Sequence, residues 1–240
     1  MKVLVLGTCC SNHFPRPGCS CDSCKDPIFK KRKYSALLIN DIMLDCGEDW
    51  KKVPSVVKKI VVTHSHPDHA FGLKYNLDKE LYMSGITYNS FKRILGGAKV
   101  QVLEFGAPVT ISGLEVVLFP VLHSTIAPAS CIRVQGKLLY CPDVKEIPNK
   151  GKVLRGISIY VGDGSSFKRD IQYRAGIGHK SMVGQMEWLK GKAKSVLFTH
   201  IGHVKMSHKN LNIELERTNR EGGFGFSEVK ALKEGDTFTF

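Results

Sequence analysis

Residues 60–69, IVVTHSHPDH, decide how the chain is read. Ile60 to Thr63 are apolar or β-branched and predict a strand over 59–64. The chain then places His64, His66, Asp68 and His69 within six positions. Donors on a loop held by a rigid strand end converge without much reorganisation. Imidazole and carboxylate are the ligands of zinc, manganese or iron at hydrolytic sites. His64 and His66, two apart, can meet on one cation. Asp68 and His69, just beyond Pro67, reach a second.

A site for two cations needs further donors, and strand ends downstream offer them. His123 follows EVVLFPV (115–121), Asp143 follows KLLYCP (137–142) and His200 follows SVLFT (195–199). Asp163 likewise follows the apolar run that opens SIYVGDG (158–164).

Other strand signals are KVLVLG (2–7), SALLIN (35–40), IMLDCG (42–47), VQVLEF (100–105) and DTFTF (236–240), most ending at a turn-forming residue or a histidine. Asn40-Asp41 suits a tight hairpin turn. Helical patterns cover 84–95, with Ser84 or Thr87 as cap, 181–192 and 208–220. No linker or low-complexity tract divides the chain. One domain over 1–240, with two sheets and outer helices, is the expected architecture.

Thirty-five basic against 22 acidic residues give a net charge of +13, which favours anionic partners. No basic run is interleaved with aromatics as a nucleic-acid platform would be. The densest patch, FKKRKY (29–34), reads as a solvated loop, with anion steering as the second role. The start MKVLVLG has no signal-peptide pattern, and no apolar run reaches the ~20 residues of a membrane span. A cytoplasmic setting with reduced thiols follows, where clustered cysteines hold metal more often than they pair. GCSCDSC (18–24) gives Cys19, Cys21 and Cys24 as C-x-C-x2-C, three thiolates suited to a tetrahedral structural zinc that needs a fourth ligand.

THSHPDH (63–69) resembles the H-x-H-x-D-H signature of the metallo-β-lactamase-fold hydrolases. The resemblance implies an α/β fold, a four-layer αββα metallo-β-lactamase sandwich with the site at one edge of both sheets. It implies His64, His66 and His123 on one metal, Asp68, His69 and His200 on the other, and Asp143 bridging, with Asp163 as its competitor for that place. Asp45, in IMLDCGED, would support the metal loop. The glycine turn followed by GCSCDSC resembles the phosphodiesterase branch typified by PhnP. That likeness implies His203, in THIGH, as fourth ligand of the structural zinc, with His13 and His208 as alternatives. It also implies that His179, in GIGHKSM, faces the reacting phosphate and protonates the leaving group, while Asp68 ligates metal and orients the nucleophile. The first turn, GTCCSNH (7–13), departs from the branch's G-T-G-S. Cys9 and Cys10 there read as packed thiols, with extra-ligand or redox roles second.

The expected function is therefore a hydrolase with two zinc or manganese ions, acting on a cyclic or linear, nucleotide-like phosphodiester. The alternatives on the same fold are a thioester or lactone hydrolase and an RNA-processing nuclease. From other classes come a non-catalytic metal-dependent nucleotide or RNA binder and an iron-dependent redox or persulfide enzyme. Small anionic phosphodiesters are the first partner class, nucleic acid the second, and a membrane is not expected. The sequence is as compatible with a homodimer as with a monomer, the 208–220 helix and the basic loop being the candidate contact surfaces.

Overall fold

The computed structural model describes residues 1–30, 32–174 and 176–240. The first half of the chain builds β1 (Lys2–Gly7), β2 (Ala36–Ile39), β3 (Ile42–Leu44), β4 (Lys59–Val61), β5 (Glu80–Ser84), β6 (Lys99–Leu103), β7 (Pro108–Ile111) and β8 (Leu114–Val121). The second half builds β9 (Ala129–Val134), β10 (Leu138–Cys141), β11 (Ile159–Asp163), β12 (Ile171–Gln172), β13 (Gly178–His179), β14 (Ser195–Thr199), β15 (Glu228–Ala231) and β16 (Thr237–Thr239). The helices are α1 (Asp22–Lys25), α2 (Pro67–Ala70), α3 (Gly85–Phe91), α4 (Lys150–Val153), α5 (Met182–Leu189) and α6 (His208–Glu221).

Two seven-stranded sheets form, in the orders β16-β1-β2-β3-β4-β5-β6 and β15-β14-β11-β10-β9-β8-β7. Period-2 alternation sorts their side chains into layers. Leu44 and Val61 of the first sheet meet Leu118, Tyr140, Val161 and Leu197 of the second in a core between the sheets. Their neighbours Met43, Ile60 and Val62 point the other way, onto Trp50, Leu73 and Phe91. On the far side, Leu139, Tyr160 and Phe198 pack under Met182, Met186 and Leu189 of α5 and Leu211 and Leu215 of α6. Burying each such side chain contributes about 1.5–3 kcal/mol, so both faces of both sheets are held. The result is the αββα sandwich.

Strands β3 to β6 run parallel, as do β10, β11, β14 and β15. Parallel strands bring their C-terminal ends to one edge, where loops carry chemistry. Polar links tie the two sheets together at that edge. Ser130 donates to the Thr63 carbonyl through N–H at 3.1 Å and through Oγ at 2.7 Å. Ile201 N–H donates to Thr8 O at 2.8 Å, and His200 N–H to Ser35 Oγ at 2.8 Å.

The expected helices are present but shorter at their C-terminal ends for the first two, and their caps are Ser84, Ser181 and Ser207, each accepting a backbone N–H three residues on. The hairpin turn at 40–41 is there, with Asn40 at φ 54°. The 29–34 run departs from the solvated-loop expectation. Phe29 is buried, and Arg32, 3% exposed, donates to the carbonyls of Phe29, Thr8 and Ile201 while its guanidinium covers the Phe14 and Phe29 rings. Stacked, backbone-bound arginine is a packing element here. Lys31 of that run lies outside the described residues.

Candidate metal centre

Each chemistry-bearing side chain stands just past a strand end. The loop after β4 carries His64 and His66, and Pro67 opens α2, which presents Asp68 and His69. His123 follows β8, Asp143 follows β10, Asp163 closes β11 and His200 follows β14. The two-stranded hairpin β12–β13 adds His179, and Asp45 follows β3.

These residues converge. His64, His66, His123 and Asp143 offer donor atoms all within 4.8 Å of one another, and so do Asp68, His69 and His200. Asp143 Oδ2 faces three imidazole nitrogens, Nε2 of His64 at 3.4 Å, of His69 at 3.3 Å and of His123 at 3.1 Å. Its other oxygen lies 2.8 Å from His200 Nδ1. His200 Nε2 reaches Asp68 Oδ2 at 3.1 Å. Nitrogens of His66 and His64 are 2.9 Å apart, and those of His66 and His123 3.3 Å.

The far nitrogen of each central ring is fixed by the protein, which orients the near one. Asp45 Oδ2 accepts from His69 Nδ1 at 2.8 Å, while its Oδ1 accepts from Thr63 N–H at 2.8 Å and Thr63 Oγ1–H at 2.9 Å. Thr63 Oγ1 also stands 3.0 Å from His64 Nδ1, and the Gly178 carbonyl accepts from His123 Nδ1 at 3.2 Å. Such outer partners set tautomer and ring direction at metal sites.

Electrostatics divide the rings. Burial, with His69 nearby, holds His64 well below the usual histidine range, and burial pulls His66 down to about 4. Burial also opposes charge on His69 and His200, but the carboxylates around them outweigh it and hold both well above that range. Buried Asp68 and Asp143 are held low by the same imidazoles despite desolvation. A cluster of acids and imidazoles this deep requires compensating positive charge.

The residues present fit divalent cations. His69 Nε2 and Asp143 Oδ1 are buried at the centre of the cluster and make no well-aligned hydrogen bond, although each lies close to a group of opposite charge, Asp143 Oδ2 at 3.3 Å and His200 Nδ1 at 2.8 Å. Buried polar atoms without partners are rare in folded proteins and mark positions where an ion completes the shell. All donors are imidazole nitrogen or carboxylate oxygen, the set zinc and manganese accept.

Asp163 lies beside this cluster, in a group with Asp143, His179 and His200 whose donor atoms also lie within 4.8 Å of one another, and it is engaged by other donors. Its oxygens accept from Val144 N–H at 3.0 Å, Ser165 N–H at 2.9 Å and His179 Nδ1 at 2.6 Å. Asp163 thus holds the ring of His179, which is 4% exposed and raised above the usual range by Asp163 and Asp143 against the effect of burial. His179 closes the β13 strand of the hairpin, two residues before Ser181, the cap of α5.

A second cluster lies a few residues away. Sγ of Cys19, Cys21 and Cys24 stand 3.4, 3.1 and 3.5 Å from His203 Nε2. Zn–S and Zn–N bonds of about 2.3 and 2.0 Å in a tetrahedron put sulfur and nitrogen about 3.5 Å apart. His13 instead packs on Tyr34, and His208 Nε2 donates to Ala231 O at 2.9 Å. Cys9 and Cys10 are packed thiols, both directed at the Asn12 carbonyl, at 3.8 and 3.6 Å. His200, with φ 51°, and His203 sit on one tight turn, so the two clusters share a support.

A cavity of about 290 Å³ opens over the first cluster, bounded by Asp68, His123, Asp143, His179 and His200, with Ile126 and Tyr173 at its mouth. Tyr173 was not foreseen from sequence. A tyrosine six residues before a histidine carries no signal until the hairpin brings both to one wall.

The fold and donor set define a metal-binding site on an αββα sandwich. The profile of the Beta-lactamase superfamily domain matches residues 40–201, and the chain belongs to that family. Over 84 residues it is 31% identical to an octanoyltransferase of Porphyromonas gingivalis, covering 30% of this chain and 17% of that one. Over 120 residues it is 30% identical to a metal-dependent hydrolase of Methanosphaerula palustris, covering 48% of this chain and 49% of that one. The chain thus spans half or less of the length of these curated relatives. Among solved structures it resembles a diphosphatase from the PhnP family, with TM-score 0.74 and 21% identity over 100% of this chain and 96% of the other. It also resembles zinc-bound PqqB from Methylobacterium extorquens, at 0.74 and 18% over all of both chains. Human short-form tRNase Z follows at 0.62 and 17%, over 100% of this chain and 99% of that one. At such identities the likeness is one of fold. Family membership together with the His/Asp clusters indicates a domain able to hold divalent metal. No helix among the described residues is long and apolar enough to cross a membrane.

Proposed function

We propose that the chain is a phosphodiesterase with two divalent cations, zinc or manganese, acting on a small cyclic or linear, nucleotide-like diester. His64, His66 and His123 would hold one cation, Asp68, His69 and His200 the other, with Asp143 between them. When bound, the pair supplies Lewis acidity and a nucleophile available near neutral pH. Cys19, Cys21, Cys24 and His203 would hold a structural zinc that braces the turn carrying His200. Residues 1–240 act as one domain that includes the cysteine loop at 18–24, and thiols gathered on a histidine suit a cytoplasmic setting.

The observation that carries the reading is Asp143, whose single carboxylate is shared between the two imidazole groups. Two cations with Asp68 and Asp143 leave the centre at net +2, which favours a diester monoanion over a neutral ester. Asp68 lies on the cavity wall, where its carboxylate orients the nucleophile. His179, held by Asp163, lines the same cavity as the source of the leaving-group proton. Likeness in fold to a diphosphatase from the PhnP family adds support. The cavity is at the small end of the roughly 300–1,000 Å³ range of ligand pockets, which favours a compact substrate over a polynucleotide.

A second reading, an RNA-processing nuclease, draws on an adjoining cavity lined by Arg16, Lys168, Arg169 and Lys205, and on the fold shared with tRNase Z. One panel separates them. Zinc- or manganese-loaded protein is given cyclic and linear nucleotides, p-nitrophenyl diesters, precursor tRNA, thioesters and lactones. The first reading expects small diesters to lead in kcat/KM by at least about 100-fold, a gap of roughly 2.7 kcal/mol. Thioester or lactone turnover leading by that margin overturns it.

A further inference from the structure

The hairpin that carries His179 also carries Tyr173. Ile171 pairs with His179 and Gln172 with Gly178 across the two strands. Tyr173 N–H closes the tip by donating to Ile177 O at 2.6 Å. One feature ties the hairpin to the metal cluster and another holds its two strands close. Gly178 N–H donates to the His123 carbonyl at 2.9 Å, and a Cβ at Gly178 would stand 2.1 Å from Ile171 O. Ile177, a β-branched residue, is held at φ 51°. Strain of this kind persists only where the surroundings enforce it, commonly at functional sites.

Within this hairpin both nitrogens of His179 are engaged. Nδ1 faces Asp163 at 2.6 Å, and Nε2 meets the Tyr173 hydroxyl. Both side chains line the cavity, but the imidazole is only 4% exposed while Tyr173 is 41% exposed. The side chain that meets a substrate from this wall is therefore the phenol, with the imidazole behind it.

We propose that the Tyr173 hydroxyl is a catalytic residue that hands the proton to the leaving-group oxygen, with His179 and Asp163 behind it as the relay. As the P–O bond breaks, its electron pair stays on the departing oxygen, which takes the phenol proton. His179 Nε2–H returns a proton to the phenol oxygen while Nδ1–H stays on Asp163. The water consumed in hydrolysis loses a proton on attack, and that proton reaches His179 through solvent. The inference rests on the phosphodiesterase reading and deepens it by naming the group in contact with the leaving oxygen.

The test is Tyr173→Phe, which keeps the ring and removes the hydroxyl. Metal content and Tm are measured alongside kcat on a series of diesters with leaving groups running from p-nitrophenolate to an alkoxide. A departing p-nitrophenolate needs little protonation and an alkoxide needs it fully. The variant is expected to lose a few-fold on the first and about 100-fold or more on the last, in line with loss of general-acid catalysis. Tyr173→His, which restores a proton donor, is expected to recover part of the alkoxide rate. Equal losses across the series, or none, overturn the inference while leaving the phosphodiesterase reading intact. A parent protein that turns over no diester overturns that reading, and the inference with it.

Discussion

Asp45 gives the sharpest handle on the metal loop, and Asp45→Asn isolates one interaction. The residue is fully buried and sits at φ 62°, a left-handed conformation that asparagine adopts as readily as aspartate. The backbone therefore has no reason to move. The amide oxygen can still accept from Thr63 N–H and Oγ1–H, as Asp45 Oδ1 does at 2.8 and 2.9 Å. What changes is the group facing His69 Nδ1, now an NH₂ at the place of a carboxylate oxygen 2.8 Å away. To avoid opposing two donors, His69 moves its proton to Nε2, the nitrogen that faces Asp143 and Asp68. A protonated Nε2 cannot bind metal. Loss of one buried, charge-assisted hydrogen bond costs about 1.5–3 kcal/mol, and loss of an outer partner of a metal-bound histidine lowers affinity about 10–100-fold. The two figures agree. Competition against a chromogenic chelator, with the cysteine-site zinc counted separately, is expected to show that drop for the His/Asp site alone. Affinity unchanged within about twofold would refute the reasoning that Asp45 sets the tautomer of a metal-binding His69.

Other outcomes follow from the same geometry. Gly47→Ala would place a Cβ 2.3 Å from the Asp68 carbonyl oxygen, so the metal loop must shift. A displacement near 1 Å predicts a loss of about 100-fold in kcat, read beside metal content. Cys21→Ser removes one of three thiolates around His203 and is expected to drop zinc stoichiometry by one and lower Tm, with kcat falling as the His200 turn loosens. Gln185, fully buried, accepts from Tyr160 O–H at 2.8 Å and Asp163 N–H at 3.0 Å and donates to Asp163 O at 2.7 Å. Gln185→Leu leaves those groups unpaired, and denaturant titration is expected to show a loss of about 3–5 kcal/mol.

Much of this architecture is legible in the chain because apolar strands announce themselves and histidines in a tight cluster have few structural explanations. The runs ending at His64, His123, Asp143 and His200 all become strands or strand ends, and the structure brings those residues together. β5, β7, β9, β12, β13 and β15 were not foreseen. β9, ASCIRV, opens on small residues and carries an arginine, and it becomes a strand through its pairing with β8 and β10. Arg32 was hidden for a different reason. A basic run reads as solvent-facing, and only the aromatic pair Phe14 and Phe29, brought together by tertiary packing, makes burial of a guanidinium favourable. The split between Asp143 and Asp163 turns on which carboxylate finds backbone donors. Spacing typical of the resembled family favours Asp143, and the N–H groups of Val144 and Ser165, which engage Asp163, are consistent with that preference.

The measurement closest to the central claim is anomalous diffraction from crystals of zinc- and manganese-loaded protein, with data on both sides of each metal's absorption edge. The account predicts two peaks a few ångströms apart, one among His64, His66 and His123, the other among Asp68, His69 and His200, with Asp143 between them. A third, zinc-only peak is expected within Cys19, Cys21, Cys24 and His203. Metal-loaded crystals with no peak between Asp143 and its surrounding imidazoles would contradict it.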